Sequence, residues 1–394
     1  MALTPIVQIV HYSDMHVRKP PRVDLLLLRL QRISSKLARL WQQGLAGADP
    51  FALEAFEEFL ATSVRKDSSW SSVPLWLIDT GDATTFGDDA SLTEWLDWSQ
   101  RFAKAAATTG GAVQRLSIYG NHDAWPNDYP GSNPWGMEAQ RDDLRMRWFT
   151  ETYPDDPLRA QIPHVAGSEI QLYRANSVDH ELWPSLLATG WAAPDRWWEP
   201  MPPMKGPSAA DDVARNAEGR VPLNGHRHFR ILAMHYPVAE AAQGTRVPLS
   251  KVLGNRGQFA RDLQSPRLLP PPIAHLLLAG HTHEPFPKLG DVAGDGWGGP
   301  SHAPLSGQQK QWVAGSLSQV VLPGSTPKSG HYSDMMLFNF PHQASVMRLS
   351  LDTSQPHSIV VERAIAARDG GLPFDYLEIS PGSGQHWETL VQPY

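Results

Sequence analysis

The sequence predicts a layered α/β sandwich, and three observations carry that prediction. Over the first two thirds of the chain, short apolar, often β-branched runs alternate with helical segments, the pattern of strands buried on both faces of a sheet. Beyond about residue 305 the alternation stops and strands follow one another, joined by Gly, Pro and Ser turns. The chain has 394 residues, 41% of them hydrophobic, enough to bury both layers within one large domain spanning 1–394.

Taken in order, Ile6 to Tyr12 is the first strand, nearly all apolar, and it ends in His11-Tyr12-Ser13-Asp14-Met15-His16. A helical insertion over 18–73 follows. Its first helix places Val23, Leu26, Leu27, Leu30, Ile33, Leu37 and Leu40 at three-and-four spacing, and its second does the same with Phe51, Ala55, Phe56, Phe59 and Leu60. Pro74 to Ile78 reads as a strand ending in Asp79-Thr80-Gly81-Asp82, and Leu92 to Ala107 as a helix. Val113 to Tyr119 is the third strand, delivering Gly120-Asn121-His122-Asp123.

From 124 to 230 periodicity fades. One helix (Met137 to Phe149) and one strand (Glu169 to Ala175) stand out, and seven of the fifteen tryptophans fall between Trp125 and Trp198. Crowded prolines at 194, 200, 202, 203 and 207 mark this Trp/Pro-rich insertion as a long loop shaping a site. Strand character returns at Phe229 to Met234, ending in His235. A helix around Val252 to Leu263 leads to Ile273 to Leu278, which ends in His281-Thr282-His283. The C-terminal β-rich part, 305–394, carries strands at Gln311 to Ala314, Met335 to Phe340, Ser345 to Leu351 and Ser358 to Ala364. It is expected to complete the second sheet.

Composition narrows the chemistry. A net charge of −7 gives no general attraction to nucleic acid or anionic lipid. The absence of cysteine removes disulfides, thiolate metal sites and Cys nucleophiles, and leaves any metal to His, Asp, Glu and Asn, a set suited to Mn, Fe or Zn. The longest aliphatic run, Leu25 to Leu28, falls far short of the roughly 20 residues of a membrane span. The N-terminus lacks a signal-peptide pattern. A soluble, cytoplasmic protein is the expectation.

Five polar stretches, each at the end of a predicted strand, form the candidate site: Asp14 with His16, Gly81-Asp82, Gly120 to Asp123, His235, and His281 with His283. In open α/β sheets, ligands bind outside the carboxyl ends of strands. Carboxylates and imidazoles gathered there can hold two cations with one carboxylate shared. His11 lies upstream of this pattern and is expected to pack or hydrogen-bond beneath it. The echo of His11 to Met15 at His331 to Met335 lacks the second histidine and is read as chance.

In this order SDMH, TGDA, YGNHDA, MHYP and AGHTHE resemble the DxH, GD, GNHD, lone His and GHxH motifs of the calcineurin-like metallophosphoesterase superfamily. The resemblance spans about Ile6 to Glu284. It implies an α/β/β/α sandwich with a dinuclear metal site at the carboxyl ends of its strands. It implies Asp14, His16 and His283 on one metal, Asn121, His235 and His281 on the second, and Asp82 bridging. The metals would be Mn, Fe, Zn or Ni. His122 would protonate the leaving oxygen, with Asp123 as its orienting partner, while a metal-bridging hydroxide attacks the phosphorus. Purple acid phosphatases carry a tyrosine three residues after the bridging Asp, where this chain has Thr85. His16 makes the site resemble the cyclic-nucleotide and general phosphodiesterase branches instead. The expected substrate is therefore a small phosphodiester, with a phosphomonoester as the alternative. A nuclease and a non-catalytic scaffold are the more distant readings; nucleic acid and membrane are not expected partners.

Overall fold

A computed structural model describes residues 3–17, 50–64, 66–84, 87, 89–107, 110–118, 120, 122–123, 158–174, 228–236, 275–281, 320–321, 342–355, 357–368, 372–379 and 382–393. The expected helices at Val23 to Leu40, Met137 to Phe149 and Val252 to Leu263 lie outside these residues. So do the expected strands at Gln311 to Ala314 and Met335 to Phe340, and the His331 to Met335 echo.

Strand β1 (Leu3–Tyr12) is buried from Ile6 onward, because both of its edges are paired and both of its faces are covered. On one edge β2 (Leu75–Asp79) runs parallel, in register from Gln8↔Leu75 to Tyr12↔Asp79, and β3 (Val113–Ser117) continues parallel beyond it. On the other edge β9 (His342–Asp352) runs antiparallel, followed by β10 (Ser358–Arg368), which pairs with both β11 (Asp375–Tyr376) and β12 (Glu388–Pro393). A second sheet has the order β4 (Leu158–Gln161), β5 (Glu169–Arg174), β6 (His228–Ala233), β7 (Leu276–Leu278), β8 (Val320–Val321), antiparallel only between β4 and β5.

Two expectations change here. The C-terminal strands β9 to β12 extend the sheet of β1 instead of completing the second sheet, to which that part of the chain gives only β8 among the described residues. The physical reason is the edge of β1: parallel pairing with β2 leaves one side of its backbone donors and acceptors unmet, and the eleven-residue β9 meets them. The second correction is β4, which falls inside the stretch read as loop. Its four residues alternate buried and exposed, too short a run to reveal a period of two.

Helices α1 (Pro50–Thr62) and α2 (Asp89–Ala107) cover one face of the first sheet. Pro50 at the first helical position loses no hydrogen bond, and Asp89 and Lys104 in the first and last turns of α2 oppose its dipole. Tyr12 anchors both helices. Its ring lies edge-on to Phe56 (5.5 Å), Phe102 (6.1 Å) and Trp95 (6.2 Å). Phe56 also meets Phe102 at 5.1 Å and is fully buried. Phe56→Ala should cost about 3–5 kcal/mol of stability, read as a lower urea midpoint at unchanged slope.

Candidate metal centre

The parallel ladders run on past the ends of their strands and carry the polar stretches side by side. Beyond β1 and β2, Thr80 N–H donates to Tyr12 O (3.0 Å), Asp14 N–H to Gly81 O (2.8 Å), His16 N–H to Asp82 O (2.9 Å) and Val17 N–H to Ala83 O (2.8 Å). In the second sheet Gly280 N–H donates to His235 O (3.0 Å). Asp14, His16, Asp82 and His281 each take left-handed backbone angles, with φ of 56°, 49°, 54° and 69°. Such angles are uncommon outside glycine, although Asp and His tolerate them best. Here they cluster where five strand ends meet, as local strain does at functional sites.

Asp82 is the centre. One ligand atom each from His16, Asp82 and His122 lie within 4.8 Å of one another, and the same holds for Asp82, His235 and His281. The two carboxylate oxygens divide between the groups: Oδ2 is 3.9 Å from His122 Nε2, and Oδ1 is 3.5 Å from His235 Nε2. The His16 and His122 rings stand 4.5 Å apart at 75°, and His235 Nε2 is 3.2 Å from His281 Nδ1. Asp14 joins from beneath, its Oδ2 accepting the His281 N–H at 3.0 Å and the Ser13 hydroxyl.

The imidazole of His235 has a defined orientation. Its Nδ1 is 2.8 Å from Thr80 O, a carbonyl that only accepts, so Nδ1 carries a proton and Nε2 is the ring atom turned toward Asp82 and His281. Thr80 also holds the floor: its hydroxyl is 3.0 Å from His11 Nε2, so His11 does lie beneath the site. Burial drives the His11 pKa down to about 3, against the pull of Asp14 and with a push from Arg363, so this ring is neutral.

Asp123 staples two strand ends together. Its Oδ1 accepts Thr84 N–H (2.7 Å) and the Thr84 hydroxyl (2.8 Å), and its Oδ2 accepts Gly120 N–H (2.9 Å) and Ala83 N–H (3.1 Å). Burial raises its pKa to about 6, with these hydrogen bonds opposing. Asp79, which caps Gly81 N–H at 3.0 Å, is pushed well above the carboxylate range by burial and then by the charge of Asp123.

Two glycines are needed for closeness. A Cβ at Gly120 would fall against the Asp82 carboxylate and 2.7 Å from His235 Cε1. At Gly81, where φ is 103°, it would lie 2.6 Å from Gly120 N and 2.8 Å from His235 Nδ1. Only hydrogen fits between these ligand loops.

The structure thus brings together Asp14, His16, Asp82, His122, His235 and His281, with Asp123 behind them. Asn121 and His283 lie outside the described residues. Ser13, Asp79 and Thr80 were not singled out from sequence; Asp79-Thr80-Gly81-Asp82 offered a signal only in its turn-forming composition. The donor set fits divalent or trivalent cations, since buried carboxylates facing imidazoles are costly without positive charge and oxygen with nitrogen ligands suit Mn, Fe, Zn or Ni. Among the described residues no helix is long and apolar enough to cross a membrane.

The family model for calcineurin-like phosphoesterases matches residues 7–285. No curated protein matches the chain.

Proposed function

Because the chain belongs to the calcineurin-like phosphoesterase family, and so to the metal-dependent phosphoester hydrolases, we propose that it hydrolyses phosphodiesters of small molecules. The observation that supports a two-cation reading is Asp82, whose two oxygens face two separate imidazole groups. In this reading Asp14, His16, Asp82 and His283 hold one cation, and Asp82, Asn121, His235 and His281 hold the other. Such a pair, when bound, polarises the phosphoryl group and acidifies water.

The chain's own residues position and move protons around that pair. His122 donates a proton to the leaving oxygen from Nε2, and its backbone is fixed because His122 N–H donates to Asp82 Oδ1 at 2.8 Å. Among the described residues the Asp123 carboxylate is hydrogen-bonded to Gly120, Ala83 and Thr84, so Asp123 orients His122 through the loop that carries it. The preference for diesters over monoesters rests on His16 and the DxH form. The net charge of −7 favours a small substrate over a polyanion.

The test compares bis- and mono-nitrophenyl phosphates and 3′,5′-cyclic nucleotides on protein reconstituted with Mn²⁺, Fe²⁺, Zn²⁺ or Ni²⁺. Faster turnover of diesters is expected, and a higher kcat/KM on monoesters throughout would make this a phosphatase. His122→Ala should keep its metal and lose about 10²–10⁴ in rate on esters with poor leaving groups. Its loss should shrink as the leaving group improves; equal losses across a leaving-group series would remove His122 from the acid role.

A further inference from the structure

Ser13 lies between two ligand-bearing strand ends and contacts both. Its hydroxyl donates to Asp14 Oδ2, the same oxygen that accepts the His281 N–H at 3.0 Å. Two donors on one oxygen, reaching it from the ends of β1 and of β7, fix the rotation of the carboxylate about its Cβ–Cγ bond. Ser13 is itself fully buried and lies close against Gly280: a Cβ there would fall 2.7 Å from Ser13 Oγ and 2.8 Å from Ser13 Cβ. The glycine before His281 is therefore what lets Ser13 approach, and Ser13 is what holds the acceptor for the His281 amide in place.

We propose that Ser13 is a positioning residue that couples the two cation sites, because the single Asp14 oxygen it holds also anchors the backbone of His281. This rests on the proposed function, in which Asp14 and His281 serve different cations. Loss of the hydroxyl removes one of the two donors that Asp14 Oδ2 accepts and loosens its hold on the His281 amide, so one deletion just past the end of β1 weakens both sites. Supporting contacts of this kind typically cost about 10–100-fold in metal affinity when removed.

The experiment is a calorimetric titration of the full-length, metal-stripped chain with Mn²⁺, for wild type, Ser13→Ala, Asp14→Asn and the double variant. Wild type is expected to take up two cations, and Ser13→Ala to weaken both steps by about 10–100-fold while the metal-free melting temperature stays close to that of wild type. In the Asp14→Asn background, adding Ser13→Ala should change affinity by less than about twofold, since a residue acting through Asp14 has nothing further to lose. Ser13→Cys, close in volume and weaker as a donor, replaces the alanine variant if that one loses its metal-free fold, with the same direction expected. Wild type binding two cations and Ser13→Ala matching it would overturn this inference alone, as would weakening confined to one step. A wild-type chain that takes up no cation would overturn the proposed function together with it.

Discussion

Asp82→Ala is expected to empty both cation sites at once and to lower phosphoester hydrolysis on the order of 10³-fold or more, which corresponds to about 4 kcal/mol of transition-state stabilisation. No other described side chain has this reach. Asp82 belongs to both ligand groups, one oxygen toward His122 and the other toward His235, and it also accepts the backbone N–H of His122. Elemental analysis after reconstitution and a rate measurement on the same sample check the result. Full metal content would remove the bridging role. One retained cation with partial activity would make Asp82 a ligand of a single site.

The second large effect is expected from a methyl group. Gly120→Ala places a Cβ against the Asp82 carboxylate and 2.7 Å from the His235 ring, between atoms that belong to two different sheets. Neither neighbour can yield without leaving its ligand position, because His235 is held by Thr80 O at 2.8 Å and Asp82 by the His122 amide at 2.8 Å. The variant should lose most bound metal and activity, with overpacking costing about 1–3 kcal/mol of stability. Gly382→Ala is the control. That glycine has φ of 78° but nothing within 4 Å of its would-be Cβ, so it should show only the backbone penalty of about 1–2 kcal/mol and keep metal and activity. Similar losses of metal in both variants would mean that the crowding at Gly120 is not what matters.

The strands that deliver the site were legible because they are mostly apolar. Ile6 to Val10 and Phe229 to Ala233 are apolar apart from Gln8 and Arg230, as suits a sheet covered on both faces, and each breaks into polar residues where it ends. The metal-ligating types were legible for the complementary reason: Asp14, His16, Asp82, His235 and His281 are poor core residues, yet they are buried. What stayed hidden depends on contacts between distant strands. Ser13 and Thr80 are ordinary turn residues until the register Tyr12↔Asp79 sets the ends of β1 and β2 side by side. Asp123 follows His122 in sequence, which suggested a direct pairing, but its carboxylate reaches Thr84, 39 residues away. The placement of the C-terminal strands was hidden for a similar reason. A strand's sequence shows that it needs an edge, not which edge, and the edge that β9 meets is that of β1. β12 was missed because Glu388, Thr389 and Gln392 give it the mixed polarity of an edge strand.

In the proposed function Asp82 lies between two cations. Crystals of the Mn²⁺-reconstituted protein, measured at the manganese absorption edge, test it most directly. Two anomalous peaks about 3.5–4 Å apart are expected, one against each carboxylate oxygen of Asp82. A single peak, or a pair that does not share Asp82, would contradict it.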